Sequence, residues 1–252
     1  MSNSQQAVAV RPAPRTFIDL RKFARDERQG IPLAGAAGQD PFLSSRRLLD
    51  FPPGPVTAGA LALDTGSGTV QSQPVDEFII VCAGTLTLTQ QERTVVLGPD
   101  DSAVIQHGAA FSWSAQGPVS AIFMRYHNSQ PGDRAIVPIK EDPPLATSNP
   151  PLAELLISPT PACRSYADHR SADGAFACGT WDSTPYHRRA MLYRHYELMY
   201  LIKGSVTFVD ETGRSGTFSR GDIFIVEEDA QCSWESREDV AKVYAIYRSA
   251  PR

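Results

Sequence analysis

Residues 197–234, ELMYLIKGSVTFVDETGRSGTFSRGDIFIVEEDAQCSW, decide the fold. Two apolar runs, LMYLI and SVTFV, flank Gly204, and Asp210-Glu-Thr-Gly213 supplies a turn after the second. A third run, Ile223-Phe-Ile-Val226, follows Arg220-Gly-Asp222. Strand propensity and turn chemistry agree, so the stretch predicts antiparallel β structure. A fainter copy stands 120 residues earlier: residues 77–89 read EFIIVCAGTLTLT, with Glu77 over Glu197 and Gly84 over Gly204. After one inserted residue, Asp101 falls on Asp222 and Phe111-Ser-Trp113 on Cys232-Ser-Trp234, while Gly59 lies over Gly179. The chain is a duplicated β domain.

A chain of 252 residues can bury two cores of about a hundred residues each, and the duplication selects that solution. Short strands recur at the spacing of a sandwich or barrel. The organisation expected is an N-terminal arm (1–44), a first β unit (45–127), a linker (128–163) and a second β unit (164–252). In the arm, polar residues 1–16 read as mobile, 16–21 as a short edge strand and 34–38 as a loop. The first unit reads as a strand over 58–63, a hairpin over 77–89, and strands over 102–106, 111–114 and 120–127. Its turn at 90–93 lacks glycine, which predicts a long or loose loop. Eight prolines between 131 and 161 make the linker too proline-rich for regular structure, a short helix or strand at 153–158 aside.

Composition removes several classes of function. A net charge of -4 argues against nucleic acid, which wants a basic stripe. No apolar run approaches the roughly 20 residues of a membrane span, and the N-terminus lacks the apolar core of a secretory signal. Four cysteines (82, 163, 178, 232) without a CxxC pair suit free thiols in a reducing, cytoplasmic setting. Both faces of the two matched strands are apolar: Met199 and Leu201 against Leu198, Tyr200 and Ile202, and Ile79 and Val81 against Phe78, Ile80 and Cys82. Their outer sides must be covered by the other repeat, by the linker or by another subunit, and a homodimer is expected.

The second unit resembles the cupin superfamily. Glu197 and Gly204 match the end of the first cupin motif, and Gly221-Asp222 the start of the second. Gly179-Thr-Trp181, Gly213, Trp234 and Lys242-Val-Tyr244 extend the likeness to the subfamily named for ureidoglycine aminohydrolase, which includes the ethanolamine-utilisation cupins. The resemblance covers about 70 residues and implies an all-β chain of two tandem jelly-roll barrels, each able to hold a small ligand. It also implies a metal, which such barrels hold with a His-x-His pair before the Glu and a third His in the second motif. Here the pair falls on Ala190 and Leu192 or on Met191 and Tyr193, and the third ligand on Cys232. In the first unit the positions are Val70 and Ser72, or Gln71 and Gln73, and then Phe111. No imidazole fills any of them, so neither a metal nor another cofactor is expected.

Glu197 begins an apolar strand, and its cupin counterpart points into the barrel. A buried carboxylate without a partner costs several kcal/mol or takes up a proton. Lys242, one of only four lysines, is the expected partner, and Tyr244 follows it in the subfamily motif. The first unit has Ala121 at that place, so Glu77 lacks this partner and the first unit reads as structural. Residues 187–195, HRRAMLYRH, bring His187, Arg188, Arg194 and His195 to the strand before Glu197. They form either a solvated edge or a cationic lip suited to a carboxylate. Trp181 and Trp234 are a pocket floor or core, and Cys232 a contact residue or a small buried hydrophobe. The reading that follows is a chain that binds a small polar metabolite, carboxylated or nitrogen-containing, in its second barrel. The alternative is a metabolic enzyme, amidohydrolase- or isomerase-like, with Glu197 and Lys242 as its catalytic groups.

Overall fold

Apolar residues alternate or run continuously through short segments punctuated by Gly, Asp and Pro, and the chain answers with strands throughout. The structure, a computed structural model, describes residues 15–33 and 40–249; the expectations for residues 1–14 and for the loop at 34–38 lie outside them. Among the described residues each repeat contributes a four-stranded sheet and five strands of a seven-stranded one, which the arm and the linker complete with one strand each. In the first, Val119–Tyr126 sits between Val56–Leu63 and Asp76–Ala83 at the centre of the large sheet. In the second, Val240–Arg248 sits in the same way between Phe176–Ser183 and His195–Lys203. The small sheets carry Gly66–Val70, Phe111–Ala115, Leu86–Gln90 and Arg93–Leu97 in one repeat. Their counterparts are Tyr186–Leu192, Gln231–Ser236, Ser205–Val209 and Ser215–Ser219. Among the described residues no helix is long and apolar enough to cross a membrane.

The expected hairpin over 77–89 does not form. Asp76–Ala83 belongs to the large sheet and Leu86–Gln90 to the small one, with no pairing between them. Gly84 (φ +80°) and its counterpart Gly204 (φ +74°) turn the chain from one sheet to the other. A Cβ at either place would stand 2.3 Å from a backbone carbonyl, that of Pro118 or of Asp239. A corner and a hairpin turn ask for the same residue, which is why the pattern misled. The loop expected at 90–93 is instead tight: Gln90 pairs with Arg93, and Gln91 takes the left-handed conformation (φ +54°) that glycine would have taken. The linker, expected to lack regular structure, lends a strand to each large sheet. Ile136–Pro138 pairs with Ser102–Ile105 and Ala146–Ser148 with Cys163–Arg170, and a 3-10 turn covers Ala153–Leu155. Proline is tolerated there because these are edge strands.

The two-sided apolar strands are explained by the seam between the barrels. Ile79, Val81, Met199 and Leu201 fill the barrel interiors. Phe78, Ile80, Leu198 and Tyr200 share one cluster with Ile122, Met124, Val243 and Ala245 from the central strands. The other repeat is therefore the cover, and a homodimer is not needed to hide this face. Polar bonds pin the seam: His169 Nε2 lies 3.0 Å from Asp76 Oδ2, and the Tyr126 hydroxyl donates to Asp173. The arm fastens it from outside. Ile18–Asp19 extends the second repeat's large sheet, Asp19 caps the helix Leu20–Arg25, and Ile31–Pro32 joins the first repeat's sheet.

Gly59 and Gly179 recur because a neighbouring strand crosses them closely. An added Cβ would stand 2.0 Å from the carbonyl oxygen of Arg47 or Tyr166, backbone atoms that cannot swing aside. Gly59→Ala and Gly179→Ala are each expected to lose about 1–3 kcal/mol of stability, the usual range for overpacking. A lower urea midpoint for each variant is the result to look for, and an unchanged one would contradict this account.

Candidate functional site

The second barrel holds a partly enclosed cavity of about 390 Å³, lined by residues of both its sheets. Alternation along the chain brings Met191, Tyr193, His195 and Glu197 to its lining, across the step from the small sheet to the large one. This settles the register left open by the sequence, since Ala190 and Leu192 point outward and are exposed. Lys242 and Tyr244 come from the adjacent strand, Trp181 from the one beyond, and Trp234, Tyr186 and Arg188 from the small sheet.

Glu197 and Lys242 meet at its base. Lys242 Nζ donates to Glu197 Oε1 at 2.8 Å and lies 3.2 Å from Met199 Sδ. Lys242 pairs with Leu201 across the strands, four residues from Glu197 or roughly 13 Å of strand, so only a long side chain closes the gap. The ammonium also stands over the rings of Trp181 (4.8 Å) and Trp234 (5.2 Å). His195 Nε2 is 3.3 Å from the other carboxylate oxygen. Burial alone would raise the Glu197 pKa, but Lys242 and His195 outweigh it and hold the group well below the ordinary carboxylate range. Glu197 is an anion at any physiological pH.

Of the other residues singled out from sequence, Arg188 is 4% exposed and lines the cavity with His195, Trp181, Trp234 and Tyr244. The indoles pack edge to face, and Tyr186 stacks on Trp234. Burial pushes the Tyr244 phenol up to about 12. Three residues fall elsewhere. Cys232 is fully buried in the barrel core and its thiol is pushed up to about 11 by burial. Arg194 is exposed, and His187, half-buried, faces away from the cavity lining. Sequence reasoning missed Tyr186 and Tyr193, the rim residues Arg170 and Arg248, and the wall from Ser148 to Pro151. That last wall belongs to the proline-rich linker, where no periodic pattern marks a contact.

The residues present do not fit a transition metal. Among the described residues His195 and Glu197 alone offer donors at the place where metal-holding cupins gather four, and the Lys242 ammonium already stands there. Among the described residues no three His, Cys, Asp or Glu side chains come together to hold an ion.

The first barrel solves the same problem in another way. Glu77, fully buried, accepts from Arg46 Nη2 at 2.9 Å, Arg125 Nε at 2.5 Å and Gln73 Nε2 at 3.1 Å. Burial would raise its pKa, but the two guanidinium groups hold it below the ordinary value. The lysine partner is absent at Ala121, as expected, and arginines replace it. By strand register Arg46 corresponds to Ser165 and Arg125 to Ile246, both of which line the second cavity. Two guanidinium groups thus fill one barrel, and a serine and an isoleucine leave the other open.

The profile of the EutQ-like cupin domain matches residues 170–244, the repeat that holds this cavity. A crystal structure of a Pseudomonas syringae pv. tomato protein of unknown function in the DUF861 family is 31% identical, with a TM-score of 0.79, covering 86% of this chain and 92% of that one. Two more distant structures share the fold. Salicylate 1,2-dioxygenase from Pseudoaminobacter salicylatoxidans, in a variant form, is 12% identical with a TM-score of 0.54, covering 97% of this chain and 88% of that one. Protein Ylba from E. coli is 10% identical with a TM-score of 0.51, covering 82% and 84%. A search of curated proteins found no match. Duplicated jelly-roll barrels, matched motifs and the Pseudomonas relative lead to one assignment: the chain is a two-barrel member of the cupin superfamily, of the DUF861 family.

Proposed function

We propose that this protein binds a small polar metabolite, carboxylated or nitrogen-containing, in its C-terminal barrel, and that the binding needs no metal. The exchange of Arg46 and Arg125 for Ser165 and Ile246 carries the reading. It leaves an aromatic-walled space of about 390 Å³ beside a charged pair, the size and chemistry of a site for a small ligand. Glu197 and Lys242 orient the ligand, while Trp181, Trp234 and Tyr244 give it an apolar bed.

The second reading, a metabolic enzyme of the ureidoglycine aminohydrolase cupin type, draws on the contacts of Glu197 with both His195 and Lys242. That arrangement could pass a proton between a ligand and the carboxylate. Against it stands the low pKa of Glu197, because a weakly basic carboxylate is a poor general base near neutrality.

The test returns an arginine to the open barrel. Ile246→Arg places a guanidinium where Arg125 stands in the other repeat, directly across from Glu197. A thermal-shift screen of small amino and carboxylic acids on the wild type, followed by calorimetry, should give binders whose affinity falls at least tenfold in this variant. Equal affinity in the two proteins would place the binding elsewhere and end the proposal. A proton NMR time course on each binder decides between the readings: an unchanged ligand supports the binding module, and a converted one supports the enzyme.

A further inference from the structure

Resting on that reading of the cavity, we infer that its ligand is an anion, a small carboxylate with a flat or apolar body, and that Arg188 is the residue that holds the carboxylate. Arg188 sits on Tyr186–Leu192, the strand of the small sheet that faces the Glu197–Lys242 pair across the cavity. Its guanidinium donates to the Cys232 carbonyl at 2.8 Å, the Tyr193 hydroxyl at 2.9 Å and the Arg189 carbonyl at 3.2 Å. All three acceptors are formally neutral. Among the described residues no carboxylate lies within ion-pair distance, although the residue is 4% exposed.

The groups around it cannot supply the missing charge. Burial raises the phenols of Tyr193 and Tyr186 and the thiol of Cys232, so all three stay protonated near neutrality. Glu197, the single carboxylate among the described lining residues, acts on Arg188 only from beyond ion-pair distance and is already paired with Lys242. Arg170 and Arg248 at the rim add two more cations without ion-pair partners among the described residues. A buried guanidinium without a counter-charge is costly unless something completes it. Its five donors match a carboxylate in fork geometry, and three acceptors leave room for one.

A second observation points to the same space. Ser148 lines the cavity from the linker side, and its hydroxyl is buried without a hydrogen-bond partner. A carboxylate between the two sheets would find Arg188 on one wall, with Ser148 as a further donor. The indoles of Trp181 and Trp234 would then take the rest of the molecule. Arg46 and Arg125 of the first barrel each keep a buried nitrogen without a hydrogen-bond partner, but unlike Arg188 both have a counter-charge, in Glu77.

The experiment compares matched pairs that differ only in charge, benzoate with benzamide and acetate with acetamide. Each is titrated into the full chain and followed by tryptophan fluorescence and calorimetry. Benzoate should bind at least tenfold more tightly than benzamide, and acetate more tightly than acetamide. Arg188→Gln should remove that preference, while Arg188→Lys should recover part of it. Acids and amides binding alike to the wild type would overturn the inference, a comparison that needs no variant to fold. So would a well-folded Arg188→Gln protein with undiminished preference for the acids. Amides or amines binding where acids do not would overturn the anion while leaving the cavity's role as a metabolite site intact. Failure of every probe, charged and neutral, to bind would overturn both.

Discussion

Glu77→Gln should be among the most destabilising single changes in this chain. The substitution keeps the shape of the side chain and removes the charge that both Arg46 and Arg125 answer. Arg46 and Glu77 have side chains 0% exposed, so water cannot take over. Removing one partner of a buried ion pair costs about 3–5 kcal/mol, and here two cations lose their partner at once. Burial already brings the Arg46 pKa down to about 10 even with Glu77 present. A marginally stable domain has about 5–15 kcal/mol in total, so a large share of the first barrel's stability should disappear in urea denaturation. The triple variant Glu77→Leu, Arg46→Met, Arg125→Met should recover most of the loss, since apolar groups of similar volume often replace a buried ionic network at little cost. A Glu77→Gln protein with the wild-type urea midpoint would refute this account. The pH dependence has a definite sign. The folded pKa of Glu77 lies below its ordinary value of 4.5, so its contribution is complete above that value and is lost as the pH falls through the folded pKa.

The duplication was legible because paired strands, corner glycines and buried carboxylates recur at a fixed offset. The two-sided apolar character of the Glu77 and Glu197 strands foretold a covered face, and the seam between the repeats supplies it. Local pattern could not tell a corner from a hairpin at Gly84 and Gly204, because both need φ > 0. The Glu197–Lys242 contact was readable from a rare lysine on a barrel-wall strand. The Glu77 network was not. Arg46 lies outside the aligned motifs, on a strand whose counterpart carries Ser165. Arg125 did leave a signal, a charge standing opposite Ile246 in an otherwise apolar match. Arg188 was noticed as part of a basic run whose members the structure separates. Arg194 goes to the surface and Arg188 to the cavity, since successive strand residues face opposite ways and the strand pairing shifts between Arg188 and Met191. The linker's share of the cavity wall had no signature at all, because contacts made by proline-rich segments follow no period.

Lys242→Met should damage the second barrel nearly as much as Glu77→Gln damages the first, and in a way that pH can expose. Methionine keeps much of the volume between Trp181 and Trp234 but leaves Glu197, itself 8% exposed, with His195 as its remaining partner. The expected loss at pH 7 is again about 3–5 kcal/mol. Adding Glu197→Gln to the same chain should return much of it, because the double variant no longer buries a lone charge. In the wild type the pKa of Glu197 lies far below its ordinary 4.5. The stability it lends is therefore present above about that value and declines as the pH falls through the folded pKa. Without Lys242 only His195 opposes the effect of burial, so the folded pKa of Glu197 rises from its wild-type position. The variant is penalised at neutral pH, and the penalty is relieved as the carboxyl takes up its proton. The gap between the two proteins should accordingly narrow on acidification, which urea titrations at a series of pH values would measure. A gap that stays constant from pH 7 to pH 4 would mean that Lys242 contributes by packing against the indoles rather than by its charge.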